Sequence, residues 1–359
     1  MSTDKAPEGK NITIYDIAKE AGVSAATVSR VLTNNAKVRP EKKERILQLI
    51  EKYQFKPNAM ARGLSDTKSK IIGIIAADVR NPFYAQVFVA CELAARKRGY
   101  TVLLCNSLGD GEQELRLMEK LHEQRVDAVI QLGGRVDDFE SDEEYVRQVN
   151  RLLKTVPLVV TGKLDGAPCY RVQIDAEETM ELLMEHLLSL GHREIALVGG
   201  RMDVMSTRTK VLKYQQILKE RGIPFYPEFV ITDGSYDDVT AYRQMNEMLE
   251  GKRIPTAVIA INDFSAAGIL RSITEHGYRV PEDISLVSYD NTYIAQLTMP
   301  QLTSIDYNYE NFGERIVETV IEALEGREVD SLQLVKPTLV VRESSAGVRQ
   351  TEGVAASEE

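Results

Sequence analysis

Between Thr13 and Leu32 two short helical patterns meet at one glycine, Gly22, and this junction constrains the start of the chain more tightly than any other feature. Ile14, Ile17, Ala18 and Ala21 recur at helical spacing and form the buried face of the first pattern. Thr13 precedes them as a cap, and Asp16 three residues later completes a variant capping box at the positive helix end. Gly22 tolerates the left-handed backbone needed to leave a helix abruptly. Ser24 then caps the second pattern. Val23, Val28, Val31 and Leu32 turn inward, which leaves Ser24, Ala25, Ala26, Thr27, Ser29 and Arg30 outside. The small and hydroxyl side chains on that outer face outline a helix-turn-helix whose second helix enters the major groove of DNA. The competing reading is a helical hairpin of some other small domain, and the residues that follow weigh against it.

The outward residues divide by chemistry. Arg30 can reach guanine O6 and N7 with two prongs, worth roughly 1–3 kcal/mol of discrimination. Ala25 and Ala26 let the backbone approach closely and offer methyls to thymine. Thr13, Tyr15, Ser24, Thr27 and Ser29 suit phosphates, which set register rather than sequence. Pro40 marks the first turn of a third helix, with Ile46, Leu47, Ile50 and Tyr53 as its apolar stripe. Lys37, Arg39, Lys42, Lys43 and Arg45 gather near its start, as phosphate contacts or as a solvated face. Residues 1–66 hold 12 Lys and Arg against 8 Asp and Glu, a net +4 in a chain of net −10. A basic head on an acidic body places the attraction for phosphate at one end. After it comes Pro57, with Asn58 able to cap a very short helix that is marginal alone in water. It needs a partner surface: its twin from a second subunit, together with DNA. Asn58 and Ala61 are expected at the DNA. Leu64, apolar with little core around it, has the character of a wedge between base steps of the minor groove.

From Lys70 onward apolar runs alternate with amphipathic helical stretches. Strands are expected at Ile71–Ala77, Tyr100–Cys105, Val126–Leu132 and Leu158–Val160, with a helix over Phe83–Lys97. A second series follows at Arg171–Ile174, Ile195–Val198, Phe229–Thr232, Ala257–Ile261 and Ile284–Ser288. The fold class is therefore α/β: a helical head and a two-lobed body of doubly wound parallel sheets. The expected division is a disordered start at 1–10, a head at 11–56, a hinge at 57–67 and a body at 68–342. Lobe 1 would take about 70–162 and 306–330, and lobe 2 about 163–305 and 331–342. The Ser-, Gly-, Ala- and Glu-rich tail, 343–359, reads as disordered.

Ligands of such sheets bind beyond the carboxyl ends of the strands. Candidates just after strands are Asp78, Asn81, Phe83 and Tyr84 in the first series, and Arg208, Tyr236, Asn262 and Asp290 in the second. Carboxylates and amides pair with hydroxyls, a guanidinium offers a planar fork, and an aromatic ring stacks on a sugar's apolar face. Lys163 also follows a strand and could meet an acidic ligand or point to solvent. Asn262 could only cap a helix, and Phe83 could belong to the core. Asp290 is a carboxylate after a buried strand and needs a partner.

Catalytic patterns are missing. Cys91, Cys105 and Cys169 lack metal or redox spacing, and His122, His186, His192 and His276 are scattered. Gly133-Gly134 and Gly199-Gly200 are turns, not a dinucleotide or phosphate fingerprint. No catalytic residue, metal or cofactor is expected. Three unpaired cysteines, a polar start and no membrane-length apolar run read as a cytoplasmic protein without membrane association.

The chain resembles the lactose/galactose repressor (LacI/GalR) family. The resemblance lies in Thr-Ile-x-Asp-Ile-Ala-x-x-Ala-Gly-Val-Ser-x-x-Thr-Val-Ser-Arg-Val-Leu at Thr13–Leu32 and Pro-Asn-Ala-Met-Ala-Arg-Gly-Leu at Pro57–Leu64. It continues in Asn81-Pro82-Phe83-Tyr84, Leu190-Gly191-His192, Asn262-Asp263 and Ser288-Tyr289-Asp290. It implies a homodimer or tetramer on a palindromic double-stranded operator, with Leu64 as the intercalating wedge. It also implies a body like a periplasmic sugar-binding protein, in which Arg208, Asn262, Asp290 and the Tyr236 position touch a sugar or sugar-derived effector. Two departures stand out. Thr33 replaces the usual Asn, and Arg208-Thr209-Lys210-Val211-Leu212-Lys213-Tyr214 departs from Arg-x-x-Gly-Phe/Tyr. The expected function is an effector-controlled repressor. A corepressor-dependent regulator is the alternative, and a sugar-acting enzyme with a DNA anchor a remote one.

Overall fold

The computed structural model describes residues 12–32, 38–55 and 68–349 and divides the chain after Ser69 into two units. Lys37, Asn58, Ala61, Leu64 and the expected disordered start fall outside the described residues.

In the first unit, helices α1 (Ile14–Ala21), α2 (Ala25–Leu32) and α3 (Pro40–Lys52) enclose a small core of Ile17, Ala18, Ala21, Val28, Val31, Ile46 and Leu49. The capping box forms: Thr13 N donates to Asp16 Oδ2 at 2.9 Å, and Thr13 Oγ1 accepts from Asp16 N. Gly22 takes φ 67°, a conformation that spares only glycine a steric penalty. Ser24 Oγ accepts from Thr27 N as the cap of α2. In α3 Ile46 and Leu49 are buried, whereas Leu47 lies outside. Ile46, Leu49, Ile50 and Tyr53 follow the i, i+3, i+4, i+7 rule, and Leu47 stands about 100° off that line.

The body contains β1 (Ile71–Ala76), α4 (Pro82–Lys97), β2 (Thr101–Asn106), α5 (Gly111–Glu123), β3 (Ala128–Leu132), α6 (Glu143–Leu152), β4 (Leu158–Val160) and β5 (Cys169–Ile174). Next come α7 (Ala176–Ser189), β6 (Ile195–Val198), α8 (Met205–Glu220), β7 (Val230–Ile231), α9 (Asp238–Leu249), β8 (Ala257–Ala260), α10 (Asp263–Glu275) and β9 (Ser285–Asp290). The body ends with α11 (Tyr293–Leu297), β10 (Thr303–Asp306), α12 (Tyr309–Leu324), β11 (Leu332–Val335) and β12 (Thr338–Val340). One sheet has the order β11-β5-β4-β3-β1-β2 and the other β12-β10-β9-β8-β6-β7. All recorded pairings are parallel except β10 with β12. The apolar runs of β1, β3, β4, β6, β8 and β9 are buried, as interior parallel strands require, whereas β2, β11 and β12 at the edges are partly exposed.

Two expectations change. Arg171–Ile174 belongs to the first sheet, where β5 pairs with β4 and β11. The chain therefore changes lobe after β5 rather than near residue 163, and β11 returns to the first lobe before β12 joins the second. Strand composition cannot reveal such crossings, because nothing in the residues of β5 records which neighbouring strand it pairs with. The second change concerns the tail. Residues 343–349 pack on the second lobe: Ser344 is fully buried, Leu286 N donates to its carbonyl at 2.7 Å, and Thr303 N donates to its Oγ at 2.8 Å. His192 clamps the same segment, with Nε2 2.9 Å from Ala346 O and Nδ1 3.0 Å from Thr256 Oγ1. Small polar residues here satisfy strand edges rather than solvate a loose end. Ser344→Ala would strand the buried Thr303 N–H. The expected loss is about 1–3 kcal/mol, measurable by denaturant unfolding of the full chain.

Candidate functional sites: a recognition helix and an interlobe cleft

In the head, α1 and α3 are tied together through Glu20. Its carboxylate meets Lys52 Nζ at 3.0 Å and Tyr53 Oη at 2.7 Å, while Arg45 donates to the Glu20 carbonyl at 3.2 Å. Tyr53 and Lys52 hold the Glu20 carboxyl below its ordinary value. Arg45 is thus spent on the scaffold. Tyr15, Ser24, Ala26, Arg30 and Arg39 are exposed, and Ala25, Thr27 and Ser29 are half-buried. The Ser24 and Thr27 hydroxyls lie 2.9 Å apart. The expected DNA-facing residues of α1 and α2 are therefore exposed or half-buried on helices held by a common core.

In the body, a cavity of about 1110 Å³ opens where the strands of both sheets end. Asp78, Asn81, Phe83 and Tyr84 line it from the first lobe, and Arg208, Tyr236, Asn262 and Asp290 from the second. Each has a local commitment. Asp78 accepts a forked pair from Arg80 at 2.7–3.1 Å. Asn81 caps α4 by accepting from Phe83 N. Phe83 is both wall and core, with its ring edge-on to Tyr84 and Tyr307 at 5.1 and 5.9 Å. Asn262 caps α10, accepting from Ser265 N at 2.7 Å, and donates to Tyr236 O at 3.1 Å. Tyr236 Oη sits 2.8 Å from Thr207 Oγ1. Asp290 is the last residue of β9, two beyond the end of the expected strand, and is bent out of it by φ 97°. Tyr309 Oη donates to its carbonyl at 2.8 Å.

Lys163 departs from expectation. It does not line the cavity: its ammonium pairs with Asp165 at 2.6 Å and lies 5.5 Å from the Phe139 ring. Arg208 stands at the rim, its guanidinium 4.0 Å over the same ring. The inner place on α8 belongs to Lys210, which is 7% exposed and 3.7 Å over the Tyr289 ring. The register explains this. Thr207, Lys210, Val211 and Tyr214 form the buried stripe of α8, and Tyr214 Oη donates to Ile195 O at 2.7 Å. A lysine on an apolar stripe was a signal available in the sequence.

Asp137, Asp138 and Phe139 were also missed. They follow the Gly133-Gly134 turn after β3 and cross to the second lobe. Met205 N donates to Asp137 O and Phe139 N to Asp203 O, both at 2.8 Å, and Asp138 bridges Val204. Burial, with Glu114 and Asp138 nearby, pushes the Asp137 carboxyl up to about 7, while Tyr84 works against the shift. Burial and Asp263 push Asp290 up to about 7, opposed by Lys210. Burial pulls Lys210 down to about 8, opposed by Asp290. The cleft combines hydroxyls, carboxylates, an amide and cations around an open volume, which is chemistry for holding a polyhydroxylated molecule.

Residues 13–58 match the bacterial regulatory proteins of the lacI family, and residues 184–345 match the periplasmic binding protein-like domain. Catabolite control protein A of Priestia megaterium is 31% identical over 323 residues, which is 89% of this chain and 95% of that protein. The HTH-type transcriptional repressor PurR of Pasteurella multocida (strain Pm70) is 31% identical over 340 residues, covering 92% and 98%. The lac repressor dimer bound to operator and the anti-inducer ONPF aligns with a TM-score of 0.83 at 28% identity, covering 94% of this chain and 100% of that one. A complex of the transcriptional regulator CelR with cellobiose aligns at 0.69 with 25% identity, covering 93% and 100%.

Between pH 3.8 and about 7 the folded chain holds a proton on Asp137 that the unfolded chain has released. Stability from this group is therefore lost as pH rises through that window, and the cost is complete above it. Asp137→Asn is expected to stabilise the ligand-free protein by about 1–2 kcal/mol at pH 8, the partial exposure of the side chain reducing the effect, with almost no change at pH 4. Thermal unfolding of parent and variant at the two pH values measures it.

Proposed function

The chain belongs to the lacI family of bacterial regulatory proteins, and from that premise we propose that it is a repressor whose operator affinity is set by a small polyhydroxylated effector in the interlobe cleft. DNA binding and transcriptional control come with the family. The observation that carries the effector reading is the cleft itself, a cavity of about 1110 Å³ walled by polar and aromatic groups from both lobes. The lac repressor neighbour is recorded as a dimer on operator DNA, and the CelR neighbour with cellobiose. We transfer those modes to this chain: two copies on a palindromic operator, and a sugar or sugar derivative as effector.

On this reading Arg30 reads base edges with Ala25 and Ala26 beside it, and Thr13, Tyr15, Ser24, Thr27, Ser29 and Arg39 meet phosphates. Asp290, Asn262, Tyr236, Arg208, Asp78, Phe83 and Tyr84 surround the effector. The relatives regulate transcription and are not enzymes, so the cleft binds rather than converts. No helix among the described residues is long and apolar enough to cross a membrane. We place the protein with the DNA it reads, in the cytoplasm.

Effector and operator must change each other's affinity by one common factor. Titrating labelled operator with and without effector gives that factor, and its sign distinguishes induction from corepression. Asp290→Ala is expected to abolish the effector response while operator affinity stays within about twofold. An unchanged response would remove Asp290 from the site. Leu64→Ala is expected to weaken operator binding by about tenfold or more, equivalent to 1.4 kcal/mol, and nonspecific DNA binding far less. Equal losses in salt-matched gel shifts would reject the wedge.

A further inference from the structure

Helix α8 enters the cleft differently from every other described helix of the body. Side chains of Asn81, Asp110, Asp142, Asp175, Asp237, Asn262, Thr292 and Asn308 accept from backbone N–H groups at the starts of α4, α5, α6, α7, α9, α10, α11 and α12. At α8 the cap position is Val204, which offers no acceptor, and the first turn holds no acidic residue. Met205 N is satisfied across the cleft by Asp137 O, but the N–H groups of Ser206 and Thr207 meet no acceptor among the described residues. Ser206 lines the cavity. A sixteen-residue helix thus presents free donors and its positive end to the ligand space.

A second observation points to the same ligand chemistry. Lys210 is 7% exposed, lines the cavity, and donates no hydrogen bond to any described residue. Its ammonium rests on the Tyr289 ring at 3.7 Å, and the Asp290 carboxylate acts on it electrostatically without an ion pair or hydrogen bond between them. Helical side chains lean toward their own N-terminus, so Lys210 and the free N–H groups serve one end of the cavity. Arg208 also lines the wall and has no carboxylate within ion-pair distance among the described residues, only the Phe139 ring. The remaining arginines of the wall are committed: Arg80 to Asp78, Arg135 to Asp138, and Arg201 to Asp203. Of the acidic wall residues, those three are neutralised by the same pairs. Asp237 is spent on the α9 cap, and Asp137 and Asp290 are only partly ionised near neutrality. Glu140 and Asp238 remain.

We propose that the effector is an anionic polyol, bearing a carboxylate or a phosphate that is received by the N-terminus of α8 together with Lys210 and Arg208. This rests on the cleft being the effector site and narrows what it takes. The anion accepts from the free N–H groups and supplies Lys210 with the acceptor it lacks, while the hydroxyls of the same molecule meet Asp290, Asn262 and Tyr236.

The test is thermal shift and calorimetry on the full chain at pH 7, with a panel of hexoses and pentoses, their phosphates, and their uronic and aldonic acids. At least one acid or phosphate is expected to bind ten or more times tighter than its neutral parent, and comparison of the two anionic arms identifies the group. Lys210→Met is expected to lower that affinity tenfold or more, and Lys210→Arg to keep most of it. Ser206→Asp, at an exposed position, places a carboxylate in the first turn. It is expected to compete with the ligand while raising the melting temperature of the free protein, so loss of binding there is not loss of folding. Anions that bind no better than their parents, or equally well to Lys210→Met and Ser206→Asp, overturn the proposal. If a neutral sugar binds and Asp290→Ala removes it, the effector cleft stands and the anion subsite falls. If binding survives both Asp290→Ala and Lys210→Met, the ligand lies elsewhere and both readings fall. No binding by any anion of the panel also overturns the proposal.

Discussion

The cleft depends on one buried carboxylate that touches no ligand. Asp263 has no exposed surface, yet four donors converge on it: Ser288 Oγ at 2.5 Å, Ser304 Oγ at 2.7 Å, Thr292 N at 2.6 Å and Thr292 Oγ1 at 3.0 Å. An unpaired carboxylate at that depth would be prohibitive, and charge-assisted hydrogen bonds are what offset it. Burial still raises the Asp263 carboxyl above its ordinary value, against all four donors. The donors come from β9, β10 and the start of α11, so one side chain fastens three elements. Between its anchor points the chain passes through Asp290 and Asn291 with φ of 97° and 47°. Asn291 is held in turn by Ser304 Oγ and Arg342. Left-handed backbone at two non-glycine residues costs energy. It persists here because Asp263, Ser304 and Arg342 over-determine the turn. The result is that the Asp290 carboxylate leaves its strand facing the cavity.

On the opposite wall a comparable device carries Asp137. Glu114 is buried beneath the turn after β3, where it accepts from Gln131 Nε2 at 2.8 Å and from Arg135 N at 3.2–3.3 Å. Gln131 Oε1 accepts from Tyr145 Oη at 3.0 Å. Burial lifts the Glu114 carboxyl to about 6. Both lobes thus use an acid below the surface to shape the loop that bears an acid in the cleft. Satisfied polar networks of this kind restrict a site to one geometry.

Much of this was legible in the residues. Thr13, Asp16, Gly22, Ser24 and Pro40 act locally, and a local signal survives folding unchanged. The strands were legible because buried parallel strands are near-continuous apolar runs, and eight of the nine strand-end effector candidates, all but Lys163, line the cavity. What escaped notice depends on contacts distant in sequence. Whether β5 pairs with β4 or β6 is decided by sheet order, and nothing within Cys169–Ile174 records it. Lys163 and Lys210 look alike as single residues, yet helix register buries one at the cavity, while an aspartate two residues on claims the other. Ser344 reads as tail, but it accepts from Thr303 N and completes the second sheet.

The strength of the cross-lobe seam sets what an effector can do. Met205 N to Asp137 O, Phe139 N to Asp203 O and the stacking of Arg208 on Phe139 join the lobes at the cavity mouth. Net hydrogen bonds contribute about 0.5–1.5 kcal/mol each, and an exposed cation–π contact about 0.5–1. These three contacts together are therefore worth a few kcal/mol, the same order as the 1–3 kcal/mol of a typical coupling between two sites. A ligand shifts such an equilibrium only by its differential affinity for the two states. One that touched a single lobe would bind open and joined forms alike and transmit nothing. The wall here draws Asp78, Tyr84 and Asp137 from one lobe and Lys210, Tyr236 and Asp290 from the other. On the proposed reading, occupancy of both halves is rewarded only when the seam is made, and the division of the wall between lobes is what would turn a binding pocket into a switch.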